Sequence, residues 1–597
     1  MSRPDTTDII TPEAAGSLPG LLQARCRRTP EAVAYRHYRE GAWHDLTWQA
    51  LAAEVARFQA ALAGEGLAPG DRVALMLANG WRWVAFEQAA LGLGLVVVPL
   101  YVNDRPDNVA FILEETRSRL LLLGDEAQWQ ALAPAVAGLA GLQRVVLCEG
   151  VAAAPCQSLA DWLPAGDHPL QQRVADGDAL ATIVYTSGTV GRPKGVMLSH
   201  RNILWNAHAC HRCNAVYRDD LFLSFLPLSH MLERTVGYYL PMMAGATVAY
   251  NRAVSLLAED LQRLRPTVLI SVPRIYERVH DRIIGQLAAG SPLARRLFQA
   301  AVAVGWRRFQ HRQGRAGWSP LLLAWPLLDR LVAGRVRARL GGRLRIAVCG
   351  GAPLSGPVAR LFIGLEVPLL QGYGMTEASP VVSANRLDDN VPASVGRPLP
   401  EVECRIGDNE ELLVRSPGVM LGYWQRPEAT GEAIDGEGWL HTGDKARLDG
   451  AGHLYITGRL KEIIVLANGE KLPPADMEMA IAAHPLFEQV LVCGEGRPYL
   501  VAVAVLDRGE WVRLAGTCGL AADDPASLRD PGVEAAVLKI VAERLRPFPG
   551  YAQVRRIALT LEPWTVENGM LTPTLKLRRN RILERHREDI EALYEGH

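Results

Sequence analysis

The chain has 597 residues, 49% of them apolar, with Lys+Arg and Asp+Glu equal at 64 each. That length exceeds one ordinary core and predicts two or three domains, while the balanced charge removes any global electrostatic basis for nucleic-acid binding. Nine cysteines, odd in number and scattered, fit a reduced cytoplasmic protein rather than a disulfide scaffold. In chain order, the first twenty residues carry acids and prolines without a continuous apolar core, so they do not read as a secretory signal. No run reaches the roughly 18–20 apolar residues of a membrane-spanning helix, which predicts a soluble protein, attached to a membrane at most by its surface. Between about residues 45 and 400, apolar runs at 73–77, 96–99, 120–123, 145–147, 179–184, 247–250, 268–271 and 344–348 read as strands. Helical patterns such as 48–65 and 107–117 separate many of them, which predicts an α/β architecture of largely parallel sheets with ligands beyond the carboxyl ends of the strands. After Pro400 the short strand-like pieces 411–414 and 453–456, with Gly-rich turns, predict a small β-rich subdomain over about 400–460. A compact α+β unit follows, with helices at 475–484 and 533–545 and strands at 489–493 and 500–506. The boundary is placed at 459–461, giving a large domain 1–460 and a small domain 461–597.

Five segments carry chemistry. The first, Tyr185-Thr-Ser-Gly-Thr-Val-Gly-Arg-Pro-Lys-Gly195, follows a buried strand and gathers hydroxyls, glycines and one lysine. Glycines let a backbone curl so that several N–H groups face one anion, and Thr186, Ser187, Thr189 and Lys194 add donors and charge around Gly188 and Gly191. It is not a Walker A loop, because Gly195 follows the lysine where Ser or Thr is needed. The residue order resembles the phosphate loop of the AMP-forming acyl-adenylate synthetases, a family that includes acyl-CoA synthetases, luciferases and peptide-synthetase adenylation domains. Gln371-Gly-Tyr-Gly-Met-Thr-Glu377 is similar to a second segment of that family. The resemblance implies that Gln371, Gly372, Tyr373 and Gly374 border the nucleotide, with Tyr373 on adenine, Thr376 at the α-phosphate and Glu377 helping to hold Mg²⁺. Upstream, Gly350-Gly-Ala-Pro-Leu354 looks like the adenine-pocket loop, contributing Gly351 and Ala352. In Gly438-Trp-Leu-His-Thr-Gly-Asp444, a carboxylate held by a tight turn can accept both ribose hydroxyls, although an Asp that merely caps a turn would look the same. Resemblance gives Asp444 the ribose role and Arg459 a second ribose or phosphate contact.

Lys461 occupies what looks like the family's pivot between large and small domains. Ala467-Asn-Gly-Glu-Lys471 resembles the loop that enters the site in the thioester-forming state, through Asn468, Gly469 and Glu470. Asn468 stands where the family usually has glycine, a mild departure because Asn tolerates left-handed backbone. Pro573-Thr-Leu-Lys-Leu-Arg-Arg579 is similar to the terminal lysine motif, with Thr-Leu-Lys in place of Ser/Thr-Gly-Lys. It implies that Lys576 bridges carboxylate and α-phosphate during adenylation.

Two further segments narrow the substrate. Leu226-Pro-Leu-Ser-His-Met-Leu-Glu-Arg234 and Val272-Pro-Arg-Ile-Tyr-Glu-Arg278 resemble the long-chain fatty acyl-CoA synthetases, which places His230 near the acyl carboxylate; a structural His at a strand end is the competing description. An insertion over about 285–343 is basic: residues 291–346 hold twelve arginines and one acid, Asp329. It also holds Leu321-Leu-Leu-Ala-Trp-Pro-Leu-Leu328. Arginines around a Trp/Leu-rich patch suit peripheral membrane contact, whereas an insertion packed on the body with solvated arginines needs no lipid. His208-Ala-Cys210-His211-Arg-Cys213 has metal-like residue types, but on one helix His208 and Cys213 do not converge, and no partner Cys-x-x-Cys exists. The resemblance as a whole implies a long-chain fatty acid–CoA ligase using ATP, CoA and Mg²⁺. A fatty acyl-AMP ligase loading a carrier-protein thiol, and a nonenzymatic acyl- or nucleotide-binding protein of the same fold, are the rivals.

Overall fold

The structure is a computed structural model that describes residues 7–150, 155–172, 176–186, 192–468, 470–572 and 575–595. Two large mixed sheets dominate the first 400 residues. One has eight strands in the order Gly422–Tyr423, Lys194–Ser199, Leu180–Thr186, Val96–Pro99, Arg72–Met76, Leu120–Leu123, Arg144–Leu147, Cys156–Ser158. Every pairing from Leu180–Thr186 to the last strand is parallel, and the first two are antiparallel. The other sheet has nine strands, parallel from Leu369–Gly374 through Ile346–Cys349, Val268–Ser271, Leu221–Ser224 and Thr247–Tyr250 to Val33–Arg39. Antiparallel strands close both of its edges. The expected parallel α/β sheets are thus present, with antiparallel strands at their margins.

Alternating side chains explain the layering. Val73, Leu75, Leu120 and Leu122 face one core, whereas Ala74, Met76, Leu121 and Leu123 face another. The first core also takes Phe222, Val268 and Ile270 from the nine-stranded sheet, with residues of the helices Leu18–Arg28, His200–Cys213 and Leu240–Ala244. A buried polar knot crosses it. Arg234 pairs with Glu87, both side chains fully buried, donates to Thr182 Oγ1 at 3.0 Å and lies over the Trp83 ring at 5.4 Å. Breaking a buried pair leaves an uncompensated charge, so this knot fixes how helix Trp81–Gly92, strand Leu180–Thr186 and the turn after His230 meet.

The run read as a strand at 344–348 pairs only from Ile346. Arg345 is turned aside, its Nε donating to Asp220 Oδ1 at 2.7 Å and its Nη2 to the Ala215 carbonyl at 3.0 Å. The β-rich piece is a four-stranded antiparallel sheet, Glu403–Ile406, Glu411–Arg415, Leu440–Leu448 and Leu454–Arg459. Beyond it, strands Phe487–Cys493, Leu500–Leu506 and Val554–Thr560 form a sheet with separate cores on its two faces. Val490, Val492 and Ala502 pack toward helices Pro474–Ala482 and Pro531–Arg544, and Leu491, Val501 and Val503 toward the C-terminal helices.

Candidate functional site

The expected site residues converge at the carboxyl ends of the central strands of the nine-stranded sheet. Strand Leu369–Gly374 delivers Tyr373 and the turn Thr376–Ala378 behind it. Of the glycines around Tyr373, Gly374 is sterically required and Gly372 is tightly packed. A Cβ at Gly374 would sit 2.1 Å from the Pro380 carbonyl oxygen, and one at Gly372 would sit 3.1 Å from that of Ser383. Tyr373 OH donates to Asp444 Oδ2 at 2.5 Å, and Arg459 Nε donates to Asp444 Oδ1 at 3.0 Å. Burial, reinforced by the Asp444 charge, pushes the Tyr373 phenol well above its ordinary range, so it stays a donor. Glu377 is buried, and its Oε1 accepts from Tyr423 OH at 2.9 Å. Burial raises its pKa. The Lys194 ammonium lies 4.7 Å from the Tyr423 ring centroid, so one tyrosine links the two charged groups.

Lys576 reaches the same space from the C-terminal unit, with the carboxylates of Glu377, Asp444 and Glu462 around it. Its side chain is exposed to the cavity, and desolvation by the groups around it is the largest influence on its charge. Burial and then Arg459 lower its pKa, while Asp444, Glu462 and Glu377 oppose that shift. His230 lines the space as well, its pKa pushed down to about 4 by burial and by Lys576. The Leu232 N–H donates to its Nδ1 at 3.2 Å, so the neutral ring carries its proton on Nε2.

These groups border one cavity of about 540 Å³ that continues as an apolar limb between the nine-stranded sheet and helix His200–Cys213. Strand register arranges its wall in rows. Gly350 and Gly372 stand at the mouth, Ile270 and Val348 pair below them, and Phe222, Val268 and Ile346 form the deepest row. Successive rows on one face are about 6.6 Å apart. Val236, Leu240, Cys210 and Cys213 line the opposite side, and Val216 closes the bottom, beside the Ala215 carbonyl that Arg345 holds at the start of strand Ile346–Cys349. The helix is anchored by a reciprocal cap: Ser199 Oγ accepts from Asn202 N at 3.1 Å, and Asn202 Oδ1 accepts from Ser199 N at 2.9 Å.

A model of the AMP-binding enzyme family matches residues 22–424, and one of the AMP-binding enzyme C-terminal domain matches residues 461–597. The chain belongs to the AMP-binding enzyme family. It is 33% identical over 580 residues to the long-chain-fatty-acid–CoA ligase FadD15 of Mycobacterium bovis, covering 95% of each chain. It is 28% identical over 626 residues to the chloroplastic long-chain-fatty-acid–[acyl-carrier-protein] ligase AEE15 of Arabidopsis thaliana, covering 92% of this chain and 84% of the relative. Among solved structures, the adenylation domain of a carboxylate reductase from Mycobacterium chelonae superposes with a TM-score of 0.75 at 23% identity, covering 98% of this chain and 94% of that one.

The cavity brings together part of the set of residues expected from sequence for an AMP-binding enzyme. Thr186, Lys194, Gly351, Tyr373, Gly374, Thr376, Glu377, Asp444, Arg459, His230 and Lys576 all border the cavity. Ser187, Gly188, Thr189, Gly191 and Gly469 lie outside the described residues. Asp444 is not in a tight turn. It sits within strand Leu440–Leu448, opposite Arg459, because Gly443 takes a φ of 70° just before it and the ladder shifts register just after. Gln371 is absorbed by the scaffold: its Oε1 accepts from Leu354 N at 3.2 Å and its Nε2 donates to the Pro392 carbonyl at 2.5 Å. Ala352 is exposed beside the lining residue Gly351. Asn468 and Glu470 lie in a hairpin between Ile464–Val465 and Lys471–Leu472, with Glu470 N donating to Asn468 Oδ1 at 3.1 Å, and neither borders the cavity. Lys461 lies in the single turn Leu460–Glu462, its side chain outside the described set.

Tyr423 escaped the sequence reading, since Gly-Tyr before a helix has no distinctive pattern. So did Glu411, whose carboxylate accepts from Gly443 N at 2.9 Å and contacts His441 Nδ1 at 3.0 Å. The metal-like string divides between two stripes of its helix: Cys210 and Cys213 face the cavity, and the His208 and His211 rings stack with centroids 6.4 Å apart.

Proposed function

We propose that this AMP-binding enzyme is an ATP-dependent long-chain fatty acid–CoA ligase, forming acyl-CoA, AMP and diphosphate from fatty acid, ATP and CoA. The observation that carries the reading is the cavity in which a polar mouth, with Lys576, Glu377 and Asp444, opens into an apolar limb walled by Phe222, Val268 and Ile346. An amphiphile with a carboxylate head and a long hydrocarbon tail has this division of polarity. The similarity to the long-chain ligase over nearly the full length of both chains supports it.

In the first step a carboxylate oxygen attacks the α-phosphorus of ATP, the bond to the bridging oxygen breaks, and diphosphate leaves. Lys576 and Lys194 offset charge on the phosphates, Asp444 accepts from the ribose hydroxyls, and Thr376 donates at the α-phosphate. Neutral His230, with its Nε2–H, can donate to the carboxylate without adding charge. In the second step the CoA thiol sulfur attacks the acyl carbon, its proton passes to solvent, and AMP leaves with the electron pair of the cleaved C–O bond. Glu377 suits Mg²⁺, which is commonly held by one or two carboxylates together with substrate phosphates. Tyr423 occupies its Oε1, and the carboxylate borders the cavity where phosphates would lie. Bound there, the ion would neutralise phosphate charge.

The division into domains 1–460 and 461–597, hinged at Lys461, belongs to the same reading, as does placement in the cytoplasm. Among the described residues no helix is long and apolar enough to cross a membrane. The likeness to AEE15, named as an acyl-carrier-protein ligase, favours one alternative, transfer to a carrier-protein thiol. The test is AMP release from purified protein with ATP, Mg²⁺ and palmitate, with and without CoA. CoA-dependent turnover to palmitoyl-CoA supports the ligase. A single burst of bound acyl-adenylate unaffected by CoA supports the carrier route, and no AMP with any fatty acid refutes both.

A further inference from the structure

Residues 320–339 form a continuous helical stretch across the surface, made of the turn Pro320–Ala324 and the segments Trp325–Leu328, Asp329–Ala333 and Gly334–Arg339. Its inner side carries Trp325, Leu328 and Ala333, buried in a core with Phe298, Phe309 and Phe362. This accounts for part of the Leu/Trp-rich run as ordinary packing. The remainder points outward. Trp318 is 60% exposed, Leu321 62%, Leu323 73%, Leu327 63% and Leu331 37%. Elsewhere among the described residues beyond this insertion, exposed large apolar side chains are widely separated in sequence, as at Val254, Leu448 and Val512. Scattered side chains of that kind need no explanation, whereas five within fourteen residues do.

Nine of the twelve arginines of the same segment sort into two groups. Arg308 and Arg312 pair with Glu366, Arg315 with Asp389, Arg345 with Asp220, and Arg337 with Asp329, the only acid between 291 and 346. Those arginines brace the insertion against the body and against itself. Arg330, Arg335, Arg339 and Arg343 are exposed and make no ion pair among the described residues. Spacing by four places Leu323, Leu327, Leu331, Arg335 and Arg339 along one side of the stretch, all of them exposed. The outward side therefore runs from apolar to cationic, and the segment's one acid, Asp329, is tied to Arg337.

We propose that this face is a membrane-docking surface that lies on bilayers carrying anionic headgroups. The leucines and Trp318 enter the boundary between headgroups and acyl chains, and the trailing arginines meet lipid phosphates. The charge pattern selects this occupant over a second copy of the chain, whose equivalent arginines would repel. Docking holds whether the acyl acceptor is CoA or a carrier thiol, because it rests on the surface and not on the cavity.

The test is flotation of the full-length protein with vesicles of phosphatidylglycerol and phosphatidylcholine, against vesicles of phosphatidylcholine alone. The wild type binds the anionic vesicles more tightly, and added salt weakens that binding. Arg330→Gln, Arg335→Gln and Arg339→Gln together lower anionic-vesicle affinity on the order of 100-fold, at about fivefold per arginine. Leu323→Ser with Leu327→Ser weakens binding to both vesicles. Turnover of a short, water-soluble fatty acid reports that each variant is folded, and if the leucine variant is not, the arginine variant and the two-vesicle contrast decide. Failure of the wild type to bind anionic vesicles, or binding that the arginine variant leaves unchanged, overturns the proposal.

Discussion

Val216→Phe tests whether the apolar limb measures the acyl chain. Val216 is buried at the bottom of the cavity, beneath the row formed by Phe222, Val268 and Ile346. A benzyl side chain has four more carbons than an isopropyl group, so it displaces about four methylenes of a fully extended tail. At about 0.8 kcal/mol per buried methylene the longest chain loses about 3 kcal/mol. At 1.36 kcal/mol per tenfold, that is on the order of 200-fold in kcat/KM. The assay is kcat/KM across saturated acids from eight to eighteen carbons. The variant should match the wild type for short chains, then fall progressively once the tail reaches the new ring, with KM for ATP unchanged. Overpacking costs about 1–3 kcal/mol of stability, but that loss lowers the active fraction equally for every chain length. A uniform decrease across the series, or an unchanged profile, refutes the assignment of this limb to the acyl tail.

Three more expectations follow from the site and the core. Lys576→Ala should slow adenylate formation on the order of 10²–10³-fold, the usual cost of removing one preorganised charge-stabilising donor. Thioester formation from supplied acyl-adenylate should persist, and equal loss of both steps, by pyrophosphate exchange and single turnover, would contradict the role. Because burial lowers the Lys576 pKa, adenylation should fall with rising pH below the ordinary lysine range, and Lys576→Arg should move that limb upward. Asp444→Asn weakens the ties to Tyr373 and Arg459 as well as the ribose contact. At about 1.5–3 kcal/mol for hydrogen bonds to a charged group, KM for ATP should rise about 10- to 100-fold, and an unchanged ATP titration would sink the ribose role. Glu233 is buried, its Oε2 lacks a hydrogen-bond partner, and burial lifts its pKa from 4.5 to about 8. The folded state then keeps a proton that the unfolded state releases, so stability falls as pH rises from about 4.5 to 8. Glu233→Gln should remove that slope and be more stable at pH 7 by on the order of 3 kcal/mol in denaturant unfolding; parallel pH profiles would disprove it.

Legibility in the sequence followed the physics of each feature. Leu120–Leu123 and Leu500–Leu506 were readable because strands buried on both faces appear as unbroken apolar runs. Gly374, beside Tyr373, has a physical reason to be glycine, because close backbone approach there leaves no room for a Cβ. Asp444 was legible as a residue but not as a conformation, since whether Gly443 makes a turn or a kink within a strand depends on the facing strand Leu454–Arg459. Tyr423 and the cavity floor at Val216 were invisible for a related reason. Each acts through neighbours more than forty residues away in sequence, Glu377 for the tyrosine and the strands Val268–Ser271 and Ile346–Cys349 for the floor. Most of the bracing arginines of the insertion could not be told from the free ones because their partners Glu366, Asp389 and Asp220 lie outside it.

The position of Lys576 bears on how one site could serve two reactions. Asp444 and Arg459 precede the turn Leu460–Glu462, whereas Lys576 and the hairpin bearing Asn468 and Glu470 follow it. In this structure the lysine is at the cavity and the hairpin is not. The unit carrying both has its own cores on each face of a three-stranded sheet, so it resists internal deformation and is more readily moved as one body. On the proposed reading, rotation about the Leu460–Glu462 turn would withdraw Lys576 as it presents the hairpin. The charge needed to expel diphosphate would then leave before the thiol arrives, when only AMP remains to be displaced. On the same reading the Arg459–Asp444 pair, which precedes the turn, would stay in place and keep the nucleotide ribose held through the exchange.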